Sequence, residues 1–273
     1  MASGGFSVKR YLREGLRLPF CPGCGNFTVI NAFLRAVYEL GHEDLSGFCF
    51  CSGIGCAAWI PSPYFKADSI HTTHGRSIPV ATGVKLVRPE LTVVVFGGDG
   101  DLAGIGGNHL IHAARRNVDL KVVMVNNMVY GMTGGQVAPT TPLGVKTATT
   151  PYGCFEHPLD VAGVVAAAGA NYVARWTTAH VDELREAFKE ALRWRGFCFV
   201  EVVSQCPTNF GRRVGFKSVK EMLQWFRERS IPVEDARGLS PEELEGRLVV
   251  GCFARRRRPT LGDTLREKLY IGV

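Results

Sequence analysis

No apolar run in the 273-residue chain approaches the ~20 residues that a membrane-spanning helix needs, and Met1–Phe20 has no apolar stretch of the kind found in a secretory signal. A second CxxC motif, an internal repeat and a separable linker are also missing. The first two absences point to the cytoplasm, with no membrane contact. Without a second CxxC the chain does not read as a zinc ribbon, and without repeat or linker the economical reading is one domain with tails.

What is present is ordinary for a globular protein with a substantial core, at 46% hydrophobic and 21% charged residues. The formal charge of +7 owes much to the run Arg255, Arg256, Arg257, Arg258. Such a run reads as a solvated or docking segment; nucleic acid or an acidic protein are its other natural partners. Nine cysteines exceed what a reduced protein needs for packing, and the chain is too long to depend on disulfide staples. Metal or cluster binding is therefore a live reading for some of them.

The apolar pattern predicts an α/β fold: an open, mostly parallel sheet of five or six strands with helices on both faces. Helices are expected over 26–40, 78–87, 105–115, 159–168, 180–194 and 219–229, and strands over 47–51, 91–96, 120–125, 172–174 and 197–203. The runs LTVVVF and LKVVMV are continuous, as buried parallel strands are, and the helix between them makes a βαβ unit whose two strands lie side by side and parallel. Residues 128–158 form a long aperiodic segment, a length usually reserved for function. Residues 1–230 are taken as the domain, and 231–273 as an extension docking on a partner.

Ligands of open α/β sheets bind outside the carboxyl ends of the strands. Two neighbouring strands here end in GGDGD (Gly97–Asp101) and NNMVYG (Asn126–Gly131), 28 residues separating Asp99 from Asn127. Glycines after a strand let backbone N–H groups approach a phosphate in front of a helix N-terminus. Asp99 offers a hard carboxylate, Asn127 an amide oxygen, and a backbone carbonyl two residues later a third oxygen. That set suits magnesium, which takes part of its octahedral shell from phosphate and water.

Cys21-Pro-Gly-Cys24 offers two thiolates from one turn before a helix, suiting zinc, a redox pair or a cluster. Cys56 and Cys206 also lie in glycine or proline turns, and the four together suffice for one 4Fe-4S cluster. Cys49 and Cys51 alternate with Phe48 and Phe50 along a strand and read as core; Cys154, Cys198 and Cys252 read as packing thiols.

GDG followed by NN at this distance resembles the diphosphate motif of thiamine-diphosphate enzymes. The series CPGCGN, SGIGC, HTTHGR with PVATGVKL, GGDGD, NNMVYGMTGGQ and CPTNFGRR, from about Phe20 to Arg213, resembles the β subunits of 2-oxoacid:ferredoxin oxidoreductases. The resemblance implies the thiamine-diphosphate-binding fold, in its diphosphate-type domain. It implies magnesium on Asp99, Asn127 and the Val129 carbonyl, with Gly100 and Asp101 near the diphosphate. Ile54, Gly55, Cys56, Ala57, His74, Gly131 and Met132 would line the cofactor pocket, while Cys21, Cys24, Cys56 and Cys206 hold the cluster. It further implies CoA-dependent oxidative decarboxylation of a 2-oxoacid to acyl-CoA and carbon dioxide, with electrons passed to ferredoxin. The activating glutamate is expected on an α subunit, so no catalytic base is placed on this chain, and activity requires that partner, with further small subunits as a possible addition.

YGMTGGQ and APTTPLG point toward 2-oxoglutarate. Trp59 stands where some relatives that accept this substrate carry a lysine, which leaves pyruvate, branched-chain and aromatic 2-oxoacids open; Trp59 and Met132 are the expected substrate-pocket residues. A non-redox thiamine-diphosphate decarboxylase is the rival enzyme, but it needs no cysteine quartet. A basic module for nucleic acid leaves the βαβ site unexplained. His71 reads as an ordinary loop histidine.

Overall fold

The computed structural model describes residues 5–269. Eight strands form the main sheet: β1 (Phe48–Ser52), β2 (Asp68–His71), β3 (Thr92–Gly98), β4 (Lys121–Asn126), β7 (Tyr172–Thr177), β8 (Cys198–Val203), β9 (Ser230–Pro232) and β10 (Leu248–Arg255). A separate two-stranded hairpin, β5 (Val129–Tyr130) and β6 (Gln136–Val137), follows β4. The order across the main sheet is β2-β1-β3-β4-β8-β7-β10-β9, and every pairing is parallel except that of β10 with β7. The expected α/β architecture is the one found.

Alternation along the strands sends side chains to two cores. Phe50, Val94, Phe96 and Val200 face α1 (Asn26–Glu39) and α5 (Val181–Arg193), where Phe33 stands 5.1 Å from Phe96 and 5.5 Å from Phe188, edge to face. Cys49, Cys51, Val93 and Val95 face α2 (Ser77–Val87), α3 (Gly107–Arg115) and α4 (Val161–Ala168). Edge-to-face rings add specific geometry to the area they bury. Among the described residues no helix is long and apolar enough to cross a membrane.

Three strands of the main sheet escaped the sequence pattern, as did the two short strands of the β5–β6 hairpin. β2 is exposed along its whole length and so carries no apolar signature. β9 is short and contains a proline. β10 holds Gly251 in the left-handed region, and its pairing with β7 slips between Cys252 and Ala254. The boundary at residue 230 is therefore corrected: β9 and β10 complete this chain's own sheet rather than standing apart as an extension. The arginine run is likewise not free. Arg255 pairs both Glu190 oxygens, Arg256 donates to the Ala166 carbonyl, Arg257 lies over Trp194, and Arg258 donates to the Gly169 carbonyl. Cations belong at these positions, because the last carbonyls of α4 carry its negative end.

A buried network lies under the strand ends. Glu201, on β8, accepts from Arg175 Nε on β7 at 2.8 Å and from Asn126 Nδ2 on β4 at 2.8 Å. Arg175 also pairs with Asp160, donates to the Val249 carbonyl and lies 4.9 Å over the Phe253 ring. Glu201→Gln removes the buried carboxylate of this guanidinium, leaving it only the more exposed Asp160, and is expected to cost about 3 kcal/mol. The exposed Arg88–Glu90 pair is the control, and Glu90→Gln should change stability by less than about 1 kcal/mol. Chemical denaturation of the two variants measures the difference.

Candidate cofactor and cluster site

β3 and β4 run side by side, Gly98 opposite Val125, so the chain segments leaving them share one crevice. After Asp99 the backbone winds through a wide turn, Gly100–Ile105, before α3. Tyr130 packs on this turn: a Cβ at Gly100 would stand 2.2 Å from the ring, and the tyrosine hydroxyl donates to the Gly100 carbonyl at 3.2 Å. Glycine at 100 is thus required by the approach of that ring.

Asp99 is buried at 2% exposure, and its carboxylate accepts from the Thr140 hydroxyl at 2.5 Å. Burial pushes its pKa up to about 6, against the pull of the Thr140 and backbone donors, with Glu201 beneath raising it further. Asn127 Oδ1 accepts from the Val129 N–H at 3.2 Å across a turn whose middle residue, Met128, has φ +65°. Asn126 Oδ1 accepts from the Met128 N–H, and Thr141 donates to the Met128 carbonyl. A buried carboxylate with one hydroxyl donor, beside an amide and exclusively hard oxygens, fits a magnesium ion, whose charge would offset the cost of ionising Asp99.

Asp101, expected near a diphosphate, spends its carboxylate on two neighbouring loops. Its Oδ1 takes Gly75 N–H at 2.7 Å, His74 Nδ1 at 2.8 Å and Ile54 N–H at 3.3 Å. Oδ2 is buried and has no hydrogen-bond partner among the described residues, and a Cβ at Gly53 would meet it at 2.2 Å. This one side chain therefore ties the Gly53–Cys56 segment to the His74–Gly75 segment. His71 bonds Ser52 Oγ at 3.1 Å at the end of β1, as an ordinary structural histidine does.

The four turn cysteines converge. Cys24 N–H bonds the Cys21 carbonyl at 3.0 Å, and Gly23 is in the left-handed region. Gln205, beside Cys206, accepts Gly25 N–H and donates to the Gly23 carbonyl. At Gly131 a Cβ would stand 3.1 Å from Asn127 Nδ2, 3.8 Å from Cys206 Sγ and 3.9 Å from Cys56 Sγ. Burial pushes the Cys24 thiol up to about 12, and thiolates at Cys206, Cys56 and Cys21 add to this. Cys56 is raised to about 11 by burial and by Cys206 and Cys21. The Asn26 N–H, at the start of α1, pulls Cys24 the other way.

Thiols raised in this way stay neutral on their own, and a strongly cationic occupant would be needed to hold all four as thiolates. Among the described residues no three His, Cys, Asp or Glu side chains close on a single-ion site; thiolates around a cubane each meet a different iron and so stand apart. The quartet fits a 4Fe-4S cluster. Cys49 and Cys51 are buried in β1, while Cys154 and Cys198 pack elsewhere in the interior and Cys252 is half-buried on β10.

A cavity of about 240 Å³ opens beside Cys56, lined by Pro19, Phe20, Trp59 and Met132. A larger one, about 410 Å³, lies between α2 and α3, away from these groups. Tyr130, Thr140, Thr141 and Glu201 were not reached from sequence. Only the paired threonines of APTTPLG, inside a long aperiodic loop, offered a signal.

The family described as "Thiamine pyrophosphate enzyme, C-terminal TPP binding domain" matches residues 53–202. The 2-oxoglutarate synthase subunit KorB of Methanothermobacter marburgensis is 52% identical over 258 residues, 94% of this chain and 90% of the relative. KorB of Methanocaldococcus jannaschii is 50% identical, covering 94% and 95%. A solved structure, a 2-oxoglutarate:ferredoxin oxidoreductase from Magnetococcus marinus with 2-oxoglutarate, coenzyme A and succinyl-CoA bound, superposes with a TM-score of 0.85 at 36% identity, over 98% of this chain and 92% of that one. The chain belongs to the β subunits of the 2-oxoacid:ferredoxin oxidoreductases. It is an oxidoreductase subunit with a thiamine-diphosphate-binding domain. That domain contains Asp99, Asn127 and Cys56; Cys21, Cys24 and Cys206 lie outside the matched span.

Asp99 yields a test by pH. Its folded pKa of about 6 lies above the ordinary carboxylate value of 3.8, so in the cofactor-free β subunit stability falls as pH rises through that window and stays reduced above it. The difference corresponds to roughly 3 kcal/mol. Asp99→Asn is expected to stabilise the cofactor-free subunit at pH 7 by up to this amount. The gain should close by about pH 4, as read from denaturation midpoints across the range.

Proposed function

We propose that this β subunit, assembled with an α subunit in the cytoplasm, catalyses the CoA-dependent oxidative decarboxylation of 2-oxoglutarate, with electrons leaving through a 4Fe-4S cluster to ferredoxin. The observation that carries the reading is the meeting at Gly131 of Asn127, on the diphosphate side, with the Cys56 and Cys206 thiols. One 2-oxoacid and one coenzyme A thiol give one acyl-CoA, one carbon dioxide and one proton, and two electrons reduce two one-electron acceptors.

When bound, thiamine diphosphate supplies a carbon nucleophile and electron sink, and an iron–sulfur cluster supplies one-electron transfer. The chain's own residues do the holding. Asp99, Asn127 and the Val129 carbonyl would bind magnesium, and Thr140 orients the carboxylate. Ile54 and His74 are positioned by Asp101; Ile54–Ala57, Gly131 and Met132 would border the cofactor. Cys21, Cys24, Cys56 and Cys206 would hold the cluster. The α subunit is the expected source of the activating glutamate.

One observation favours a second reading of the substrate. Pro19, Phe20, Trp59 and Met132 offer no cation to a distal carboxylate, as suits pyruvate, branched-chain or aromatic 2-oxoacids. The KorB relatives and the 2-oxoglutarate bound in the Magnetococcus marinus enzyme favour 2-oxoglutarate, with the cation then supplied by the α subunit.

Anaerobic αβ enzyme should form succinyl-CoA from 2-oxoglutarate faster than any other acyl-CoA from a panel of 2-oxoacids, and its β subunit should hold about four irons. Cys206→Ser should lose iron and Cys49→Ser should not. Full iron in Cys206→Ser would overturn the cluster assignment, and a preference for another 2-oxoacid would overturn the substrate.

Trp59 tests the pocket. A lysine there adds a charge-assisted contact of roughly 1.5–3 kcal/mol to a second carboxylate. Trp59→Lys is expected to raise the kcat/KM ratio of 2-oxoglutarate to pyruvate by about tenfold or more. An unchanged ratio in a well-folded variant would count against a specificity role.

A further inference from the structure

Resting on the cluster reading above, the thiols show where electrons leave the molecule. Cys56 and Cys206 face inward at Gly131, whereas Cys21 is the exposed member of the quartet. What surrounds Cys21 therefore decides which carrier can approach.

The segment after Cys206 lies directly on the Cys21–Cys24 turn. A Cβ at Gly23 would stand 2.5 Å from Val219 Cγ2 and 3.6 Å from Pro207 Cγ. From Pro207 to Lys220 this segment has no acidic residue and carries Arg212, Arg213, Lys217 and Lys220, all exposed. Arg17, also exposed, precedes the turn on its other side, and no acidic residue lies between it and Cys24. Glu221, next along, accepts the Lys217 backbone N–H and keeps its charge, so that one acid stands against the four cations of this segment. Arg213 is tied to the Gly134 carbonyl.

Among the described residues, Arg17, Arg212, Lys217 and Lys220 form no ion pair with an acid of this chain. Arg255–Arg258 provide the contrast, each being spent on the chain's own helices, rings or carbonyls. A net excess of exposed cations on the segments flanking one exposed thiol favours anionic partners by long-range steering, which accelerates encounter and fades with salt.

We propose that the basic collar formed by Arg17, Arg212, Lys217 and Lys220 around Cys21 is the docking surface for a small acidic electron-carrier protein. Each encounter passes one electron from the reduced β subunit to one oxidised carrier, so two encounters complete a turnover, and no atom is transferred. Coenzyme A, a phosphate-bearing anion, is the rival occupant.

The test uses the assembled αβ enzyme with 2-oxoglutarate, coenzyme A and either of two acceptors: an acidic ferredoxin, or methyl viologen, a small cation that needs no docking site. In the triple variant Arg212→Glu, Lys217→Glu, Lys220→Glu, kcat/KM for ferredoxin should fall by about tenfold or more at low ionic strength. Salt should slow the wild-type ferredoxin reaction and leave the variant's nearly flat. The viologen rate and the KM for coenzyme A should not change.

Unchanged ferredoxin kinetics would overturn the proposal, as would a rise in the coenzyme A KM with viologen as acceptor. Should the triple variant not assemble, the single variants Arg212→Gln, Lys217→Gln and Lys220→Gln read the same quantities, and no loss in any of them is an equal refutation. Failure of the functional reading looks different: the wild-type enzyme would then reduce no viologen with any 2-oxoacid.

Discussion

One oxygen atom, Oδ1 of Asp101, holds the site in shape. It gathers Ile54 and Gly75 through their backbone N–H groups and His74 through its ring. The segment carrying Cys56 and the segment carrying His74 leave the neighbouring parallel strands β1 and β2, whose ends are joined where the Thr72 N–H donates to the Ser52 carbonyl, and Asp101 fixes how they lie beyond that point. A carboxylate inside the protein is costly unless donors surround it. Once it is there, it fixes every group that points at it. Gly53 and Gly97 complete the arrangement, because a Cβ on either would fall within 2.7 Å of this side chain.

Beneath the turns, the sheet performs a quieter task. Parallel pairing of β1, β3, β4 and β8 brings their carboxyl ends to one edge, and the Asn126–Glu201–Arg175 chain ties β4, β8 and β7 together just below it. Asn126 then passes that order upward by accepting the Met128 N–H, which stabilises the left-handed residue between Asn127 and Val129. The oxygen donors of the crevice are thus supported by a polar network inside a largely apolar layer. A fully satisfied network of this kind rigidifies what it touches.

Much of this was legible beforehand, because local chemistry and tertiary placement agree. The apolar runs of β3, β4 and β8 match the strands closely, and helix 219–229 begins and ends where its pattern does. The strand-end motif located Asp99 and Asn127, since in a βαβ unit sequence distance translates directly into adjacency. The partners of Asp101 were not legible for an equally local reason: they come from residues 54, 74 and 75, and nothing in GGDGD announces that the carboxylate turns backward. Tyr130 and Thr140 reach the site across a loop without periodicity, and β2 is a strand with no buried side. The arginine run looked free because sequence does not display the carbonyl ends of α4 that it caps.

Gly131 lies between the amide of Asn127 and the sulfurs of Cys56 and Cys206, where a Cβ would already be 3.1 Å from the amide and in contact with both sulfurs. Electrons tunnel through protein at rates that decay steeply with the thickness of intervening matter. Under the proposed reading, the smallest residue in the alphabet marks the thinnest wall between the place where a bond is broken and the place where charge is carried away.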